Sequence, residues 1–372
     1  MKITRSIDLE DTDGLLAADR EGLLRAASSA GAQVRAIAAA QDEGALDSLR
    51  VEERARSVIW VAGRGTAETA GAILAATLGG VASEPMVIGA EAPPWVGPLD
   101  VLIVAGDDPG DPALVGAAAT GVRRGARVVV VAPYEGPLRD ATAGRAAVLA
   151  PRLWVPDEFA LCRYLAAGLV AMQAVDPKLG LKPSTELASL ADELDAEALR
   201  NSAGREVFTN PAKTMAARIS GRRVALTGDC AATLALARHG SSVLLRIARQ
   251  VAAATGLADA VLALGAGPDD APSSMDALFH DDEIDGPLPE RLRVLALTLT
   301  EERAAVAARV GGFDDIYLVA AEDVPDVPDS IGDPVESGGL RALAGPGRAE
   351  QQLAVLAVRM EMAAVYLRLV RG

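Results

Sequence analysis

An apolar strand that runs directly into a loop of acids sets the strongest limit on how this chain can fold. Leu99-Asp100-Val101-Leu102-Ile103-Val104-Ala105 reads as a strand buried on both faces. The loop Gly106-Asp107-Asp108-Pro109-Gly110-Asp111-Pro112 follows, and Ala113-Leu114-Val115-Gly116-Ala117-Ala118 begins a helix. A strand without a polar face belongs in a parallel sheet covered by helices. Free N–H groups and the helix dipole make the loop an anion site by construction. Yet Asp107, Asp108 and Asp111 put carboxylates where hydroxyl donors would serve a phosphate. At an effective dielectric near 20, one carboxylate about 4 Å from a phosphate charge costs on the order of 4 kcal/mol. The loop therefore reads as an anion site that has been rewritten.

The same strand–loop–helix grammar recurs along the chain. Ser57–Ala62 is a strand, followed by Gly63-Arg64-Gly65-Thr66 and an Ala-rich helix from Glu68 to Leu78. Met86–Ile88 and Ala126–Ala132 are further strands, and a helix from Phe159 to Ala174 closes this unit. A second series begins at the strand Arg222–Gly228. It continues with a helical stretch from Ala231 to about Ala254, broken near Gly240, and strands at Ala260–Leu264, Leu292–Thr298 and Asp315–Ala320. Alternation on short loops predicts an α/β fold of two doubly wound parallel-sheet domains in tandem. The boundaries expected are a helical N-terminal extension over 1–50, a first domain over 51–175, a linker with a helix over 176–205 and a second domain over 206–372. The last helix, Arg348 to Arg371, has more apolar residues than one face needs. It is expected to pack across a two-fold interface or between the domains.

Composition narrows the function classes. The chain is 50% hydrophobic but only 3% aromatic, so its cores are Ala, Val and Leu, which suits helices lying close on parallel strands. A net charge of −15 argues against nucleic acid and anionic lipid as partners. Cys162 and Cys230 form no pairing or metal motif, and with two histidines, His239 and His280, no His-based metal site is expected. His239, between Arg238 and Gly240, reads as a surface or helix-end residue. No leader-like or membrane-spanning segment is seen, so a cytoplasmic protein is expected.

Gly63, Arg64, Gly65 and Thr66 could cradle a phosphate or sugar with backbone amides and the Thr66 hydroxyl. A dinucleotide fingerprint would need glycine at position 68, which is Glu68. Together with Leu99-Asp100-Val101 through Gly110-Asp111, and Arg124-Gly125-Ala126-Arg127-Val128-Val129, the turn resembles the sugar isomerase (SIS) domain. Asn210-Pro211-Ala212-Lys213 and Phe279-His280-Asp281-Asp282-Glu283-Ile284 resemble segments of the bifunctional phosphoglucose/phosphomannose isomerase family, most of all its divergent actinobacterial TobH-like branch. That resemblance implies two SIS domains in a homodimer with shared sites. It also implies aldose–ketose interconversion of sugar 6-phosphates by a ring-opening His and a proton-shuttling Glu, with no cofactor.

Three departures separate the chain from that pattern. The hydroxyl loop is acidic. No Asp or Glu occurs between Asp229 and Asp259, where the family keeps its catalytic Glu, and the helix there has Leu245-Arg246-Ile247. Pro156-Asp157-Glu158 stands where the family tends to have Pro-Arg. The candidates carried forward are His280 and Glu283 as catalytic groups, with Glu158 a possible stand-in base. Gly63, Arg64, Gly65, Thr66, Asp107, Asp108, Gly110 and Asp111 are the candidates for contacts to a sugar or sugar-derived ligand. The function expected is binding of a carbohydrate derivative with isomerase activity lost or altered; the alternative is an active glucose 6-phosphate/mannose 6-phosphate isomerase.

Overall fold

The computed structural model describes residues 7–51, 53–179, 183–266, 291–323 and 348–371. Three helices come first, α1 (Thr12–Ala18), α2 (Leu23–Ala27) and α3 (Ala30–Asp42). The first α/β unit follows: β1 (Ser57–Val61), α4 (Gly65–Leu78), β2 (Met86–Gly89), β3 (Asp100–Ala105), α5 (Pro112–Arg123), β4 (Arg127–Val131), α6 (Gly136–Thr142), β5 (Ala146–Val148) and α7 (Leu161–Val175). Helices α8 (Pro183–Arg200) and α9 (Pro211–Ile219) lead into the second unit: β6 (Arg223–Gly228), α10 (Ala231–Ala248), β7 (Ala253–Gly256), α11 (Leu257–Ala266), β8 (Leu292–Leu297), α12 (Arg303–Val310) and β9 (Ile316–Val319). Helix α13 (Ala349–Arg371) comes last.

Both sheets are wholly parallel. The first has the order β2-β1-β3-β4-β5 and the second β7-β6-β8-β9. Their strands are apolar on both faces because helices cover both. On the outer face of the first sheet, Ile59, Val61, Leu102, Val104, Val128 and Val130 pack with Leu114, Ala118 and Val122 of α5 and Leu138 of α6. On the outer face of the second, Ala225, Val294, Ala296 and Ile316 pack with α11 and α12. The inner faces meet in one continuous core that also takes in α1–α4, α7–α10 and α13. Eighteen residues of α13 are buried, on every side of the helix. The apolar surplus of the last helix is thus absorbed between the two sheets, one of the two placements its sequence suggested. Among the described residues no helix is long and apolar enough to cross a membrane.

Two expectations are corrected. Ala260–Leu264 is not a strand but part of α11, and the strand of that stretch is β7, at Ala253–Gly256. Leu257, Ala260, Val261 and Leu264 share the face turned to the second sheet, a helical spacing that a five-residue apolar run does not reveal. Helix α10 ends at Ala248, where Arg249 takes a left-handed conformation (φ 52°), so it neither reaches Ala254 nor breaks at Gly240. A side chain on Gly240 would meet Leu226 and Met360 at 2.7 and 2.8 Å, so that glycine marks close packing.

The largest fully buried side chain in the first unit shows how closely these helices approach the sheet. Trp60 on β1 is fully buried and donates from Nε1 to the Ala67 carbonyl at 2.9 Å. A Cβ on Gly71 would lie 2.4 Å from its indole, and one on Gly168 3.2 Å from it. Gly71→Ala should therefore lower the urea midpoint by the equivalent of about 1–3 kcal/mol through overpacking. The exposed helical Gly116, with nothing within 4 Å of an added Cβ, should gain up to ~1 kcal/mol on the same change. Equal effects at the two positions would contradict this packing.

Candidate functional site

In the first sheet the strand order reverses between β1 and β3, with β2 on one side and β4 and β5 on the other. Open α/β sheets bind ligands in the crevice at such a reversal, beyond the carboxyl ends of the strands. Here that crevice lies between the turn 62–65 and the loop 106–111. Gly65 has φ +70°, a left-handed conformation that glycine adopts without strain, and it begins α4 directly after β1. Gly63, Arg64 and Gly65 are exposed, so the turn itself faces solvent.

The hydroxyl in that turn is already engaged. Thr66 donates from Oγ1 to the backbone carbonyl of Asp157 at 2.8 Å and to its carboxylate at 3.1 Å. The Asp157 carboxylate lies 3.1 Å from where a Cβ on Gly65 would sit. Asp111 stands equally close to Gly63. The amino end of α4, where a bound anion would be cradled, is thus flanked by two of the chain's own carboxylates.

The acid loop divides its three carboxylates. Asp111 caps α5 by accepting from the Ala113 amide at 2.8 Å, with Pro112 supplying the first helical residue. Asp108 accepts from the Gly110 amide at 2.8 Å and so closes its own turn. Asp107 is exposed and faces a cavity beside the crevice. A helix cap and a turn closure explain Asp111 and Asp108 without any ligand.

Asp157 is a perturbed acid of the crevice. Burial raises its carboxyl above the ordinary range, and the charge of Asp107 adds to the rise, against the pull of Thr66 and Arg246. Arg246, reaching over from α10 of the second unit, lies 3.6 Å from Asp157 and pairs with Glu158 at 2.8 Å. The Arg on the α10 helix and the acids after Pro156, both noted in the sequence, are therefore partners in one contact. Glu158 is held in that pair.

A second buried acid lies at the contact of α10 and α13. His239 and Glu361 share a hydrogen bond of 2.9 Å, and both are buried. Burial raises the Glu361 carboxyl, with His239 drawing it the other way. His239 is thus no surface residue; the helical face it occupies is the one turned to α13. Its neighbours Arg238 and Gly240 hid this, and no pattern in the sequence linked it to Glu361, 122 residues on. His280 and Glu283 lie outside the described residues.

With this geometry in hand, likeness to known proteins can be placed. No family model matches the sequence, and no curated protein matches it. Solved structures do. A candidate phosphosugar isomerase from Silicibacter pomeroyi DSS-3 superposes with a TM-score of 0.62 at 15% identity, covering 94% of this chain and 98% of that one. Tagatose-6-phosphate ketose/aldose isomerase from Escherichia coli gives 0.58 at 15%, with 98% and 93% covered. The C-terminal domain of glucosamine-fructose-6-phosphate aminotransferase from Francisella tularensis gives 0.56 at 13%, with 94% and 95% covered. The fold is that of the sugar-isomerase proteins, two parallel α/β units in tandem.

The raised Asp157 makes a pH prediction. An acid whose folded pKa lies above its unfolded value, about 3.9, binds its proton more tightly in the native state, so stability is lost as pH rises between the two values. Asp157→Asn removes that loss. Its stability relative to wild type, followed by urea denaturation across a pH series, should increase as pH climbs from about 4 through the raised value and then level off. A difference that is constant with pH would show that Asp157 is not strained by its site.

Proposed function

We propose that this chain binds a sugar derivative on the sugar-isomerase fold and does not interconvert aldose and ketose phosphates. The observation that carries the reading is Asp157, seated over the glycine turn and tied to Thr66 and Arg246. A sugar phosphate entering there would meet that carboxylate, and at ~4 Å each such repulsion costs on the order of 4 kcal/mol. Proton transfer between two sugar carbons also needs a base within reach, whose loss typically costs ~10²–10⁴-fold in rate. Helix α10 presents Arg246, and a guanidinium is no general base. Glu361 is an acid of altered affinity, but it is 1% exposed and already bonded to His239.

The reading places the chain in the TobH-like branch of the phosphoglucose/phosphomannose isomerase family, on the strength of the segments 210–213 and 279–284. It takes the protein as a cytoplasmic homodimer. Helix α13 is spent inside the chain, so a dimer would use another surface; light scattering at micromolar concentration should give twice the chain mass of 38.2 kDa. The competing reading is a working isomerase that uses His280 and Glu283.

A coupled assay on purified protein with glucose 6-phosphate and mannose 6-phosphate separates the two. The expected result is turnover no higher than in the enzyme-free control. Clear turnover that disappears in His280→Ala would overturn the non-catalytic reading.

A further inference from the structure

Beside the closed glycine turn lies a cavity of about 490 Å³. That is within the range of small-molecule sites, roughly 300–1,000 Å³. The loops after β3 and β4 and the segment 151–157 form its walls. Asp107, Glu135 and Asp157 supply carboxylates, and Arg152, Arg163 and Trp154 also line it.

The cations of this region are not equivalent. Arg152 forms a two-pronged pair with Glu43. Arg246 is held by Glu158 and Asp157. Arg163 is different. It is only 8% exposed, lies 4.1 Å above the ring of Tyr164, and its Nη1 has no hydrogen-bond partner among the described residues. That nitrogen is enclosed, so what Arg163 brings to the cavity it lines is its charge, which no carboxylate among the described residues pairs. At the rim stands Trp154, 91% exposed, the least covered of the large apolar side chains among the described residues. An indole is a broad apolar face with little rotamer freedom to lose.

These features select a ligand by sign. An anion is drawn to Arg163 but must pass Asp107, Glu135 and Asp157. A cation is drawn to the acids but meets Arg163 in the same space. A hydroxyl both donates and accepts, so a neutral polyol satisfies carboxylates and guanidinium together. The C–H face of a pyranose supplies the flat apolar surface that the indole would cover.

We propose that this cavity binds an uncharged pyranose, with a sugar oxygen accepting from Arg163, hydroxyls donating to Asp107 and Glu135, and the ring stacked on Trp154. The proposal rests on the sugar-binding reading above and gives it a place and a ligand class. It sets the ligand away from the amino end of α4, in a space that needs no phosphate.

The test is calorimetric titration of the full chain, with tryptophan emission recorded in parallel. The probes are methyl α-D-glucopyranoside, methyl α-D-mannopyranoside, methyl β-D-galactopyranoside, glucosamine and glucose 6-phosphate. Trp154→Ala and Asp107→Asn are exposed substitutions that leave the core untouched, so they serve where Arg163→Gln could unfold the protein. At least one neutral glycoside should bind with a blue shift of emission. It should bind at least tenfold more weakly to each variant, since Asp107→Asn removes a charged hydrogen-bond acceptor and Trp154→Ala the stacking face. Glucosamine and glucose 6-phosphate should bind at least tenfold more weakly than that glycoside. Glycoside binding that survives both substitutions would place the sugar elsewhere, overturning this inference while sparing the sugar-binding reading. Tightest binding by the amine or the phosphate would overturn the ligand class. No binding by any probe would overturn both.

Discussion

The guanidinium of Arg359 and the carboxylate of Glu197 are buried together in the middle of the molecule, 2.8 Å apart. Arg359 also donates to the carbonyls of Ala320 and Ala321, at 2.8 and 2.9 Å, and so ties α13 to the end of β9. Glu197 accepts from Arg200 and from the Asn201 side chain, and Asn201 in turn accepts from the Ala212 amide at the start of α9. Burial alone would raise the Glu197 carboxyl; the charges of Arg359 and Arg200 outweigh it and hold the group below its ordinary range. Removing one partner of such a pair costs about 3–5 kcal/mol, whereas replacing the whole set by apolar groups can be neutral. Its contribution here is register. A helix that is apolar on all sides could slide or rotate between two sheets, and one buried charge with three fixed acceptors allows it a single setting.

The crevice of the first unit follows a related logic, with charges placed to meet one another across the two units. Arg246 comes from the second unit, while Asp157 and Glu158 come from the segment that closes the first. The contact spans the space beyond the strand ends, where an open α/β sheet would receive a ligand. The polar groups inside the crevice are satisfied by each other. The neighbouring cavity differs: Arg163, which lines it, is paired with no carboxylate among the described residues.

Strands β1, β3, β4, β6, β8 and β9 were legible in the sequence because each is a run of branched apolar residues bounded by loop residues. The α/β class followed from their alternation with helices. Strand β7 was not legible: Ala253-Ala254-Thr255-Gly256 has little to mark it as a strand, and it forms by pairing with β6 at the sheet edge. The positions of Gly63–Thr66 and of the acid loop at the strand ends were readable too. What the acids do there was not, because a capping Asp and a cleft-facing Asp are identical in sequence. The closure of the glycine turn joins Thr66 to Asp157, 91 residues apart, and the His239–Glu361 pair is more distant still. Such partners are chosen by how the two units dock, which periodicity and spacing do not encode.

Helix α13 has one more consequence, for the order in which the chain can become a protein. It packs against α4 and α7 of the first unit as well as α9 and α10 of the second. A ribosome makes it after every other described element. Until residues 349–371 emerge, both sheets lack part of the filling between their inner faces, and apolar surface there stays wet. Units normally fold one after another during synthesis. This chain instead withholds completion of its first unit until its last helix arrives. Stalled synthesis or trimming of that helix would therefore expose the interior of both halves at once, and residues 51–175 expressed by themselves would be an open, sticky sheet rather than a small domain.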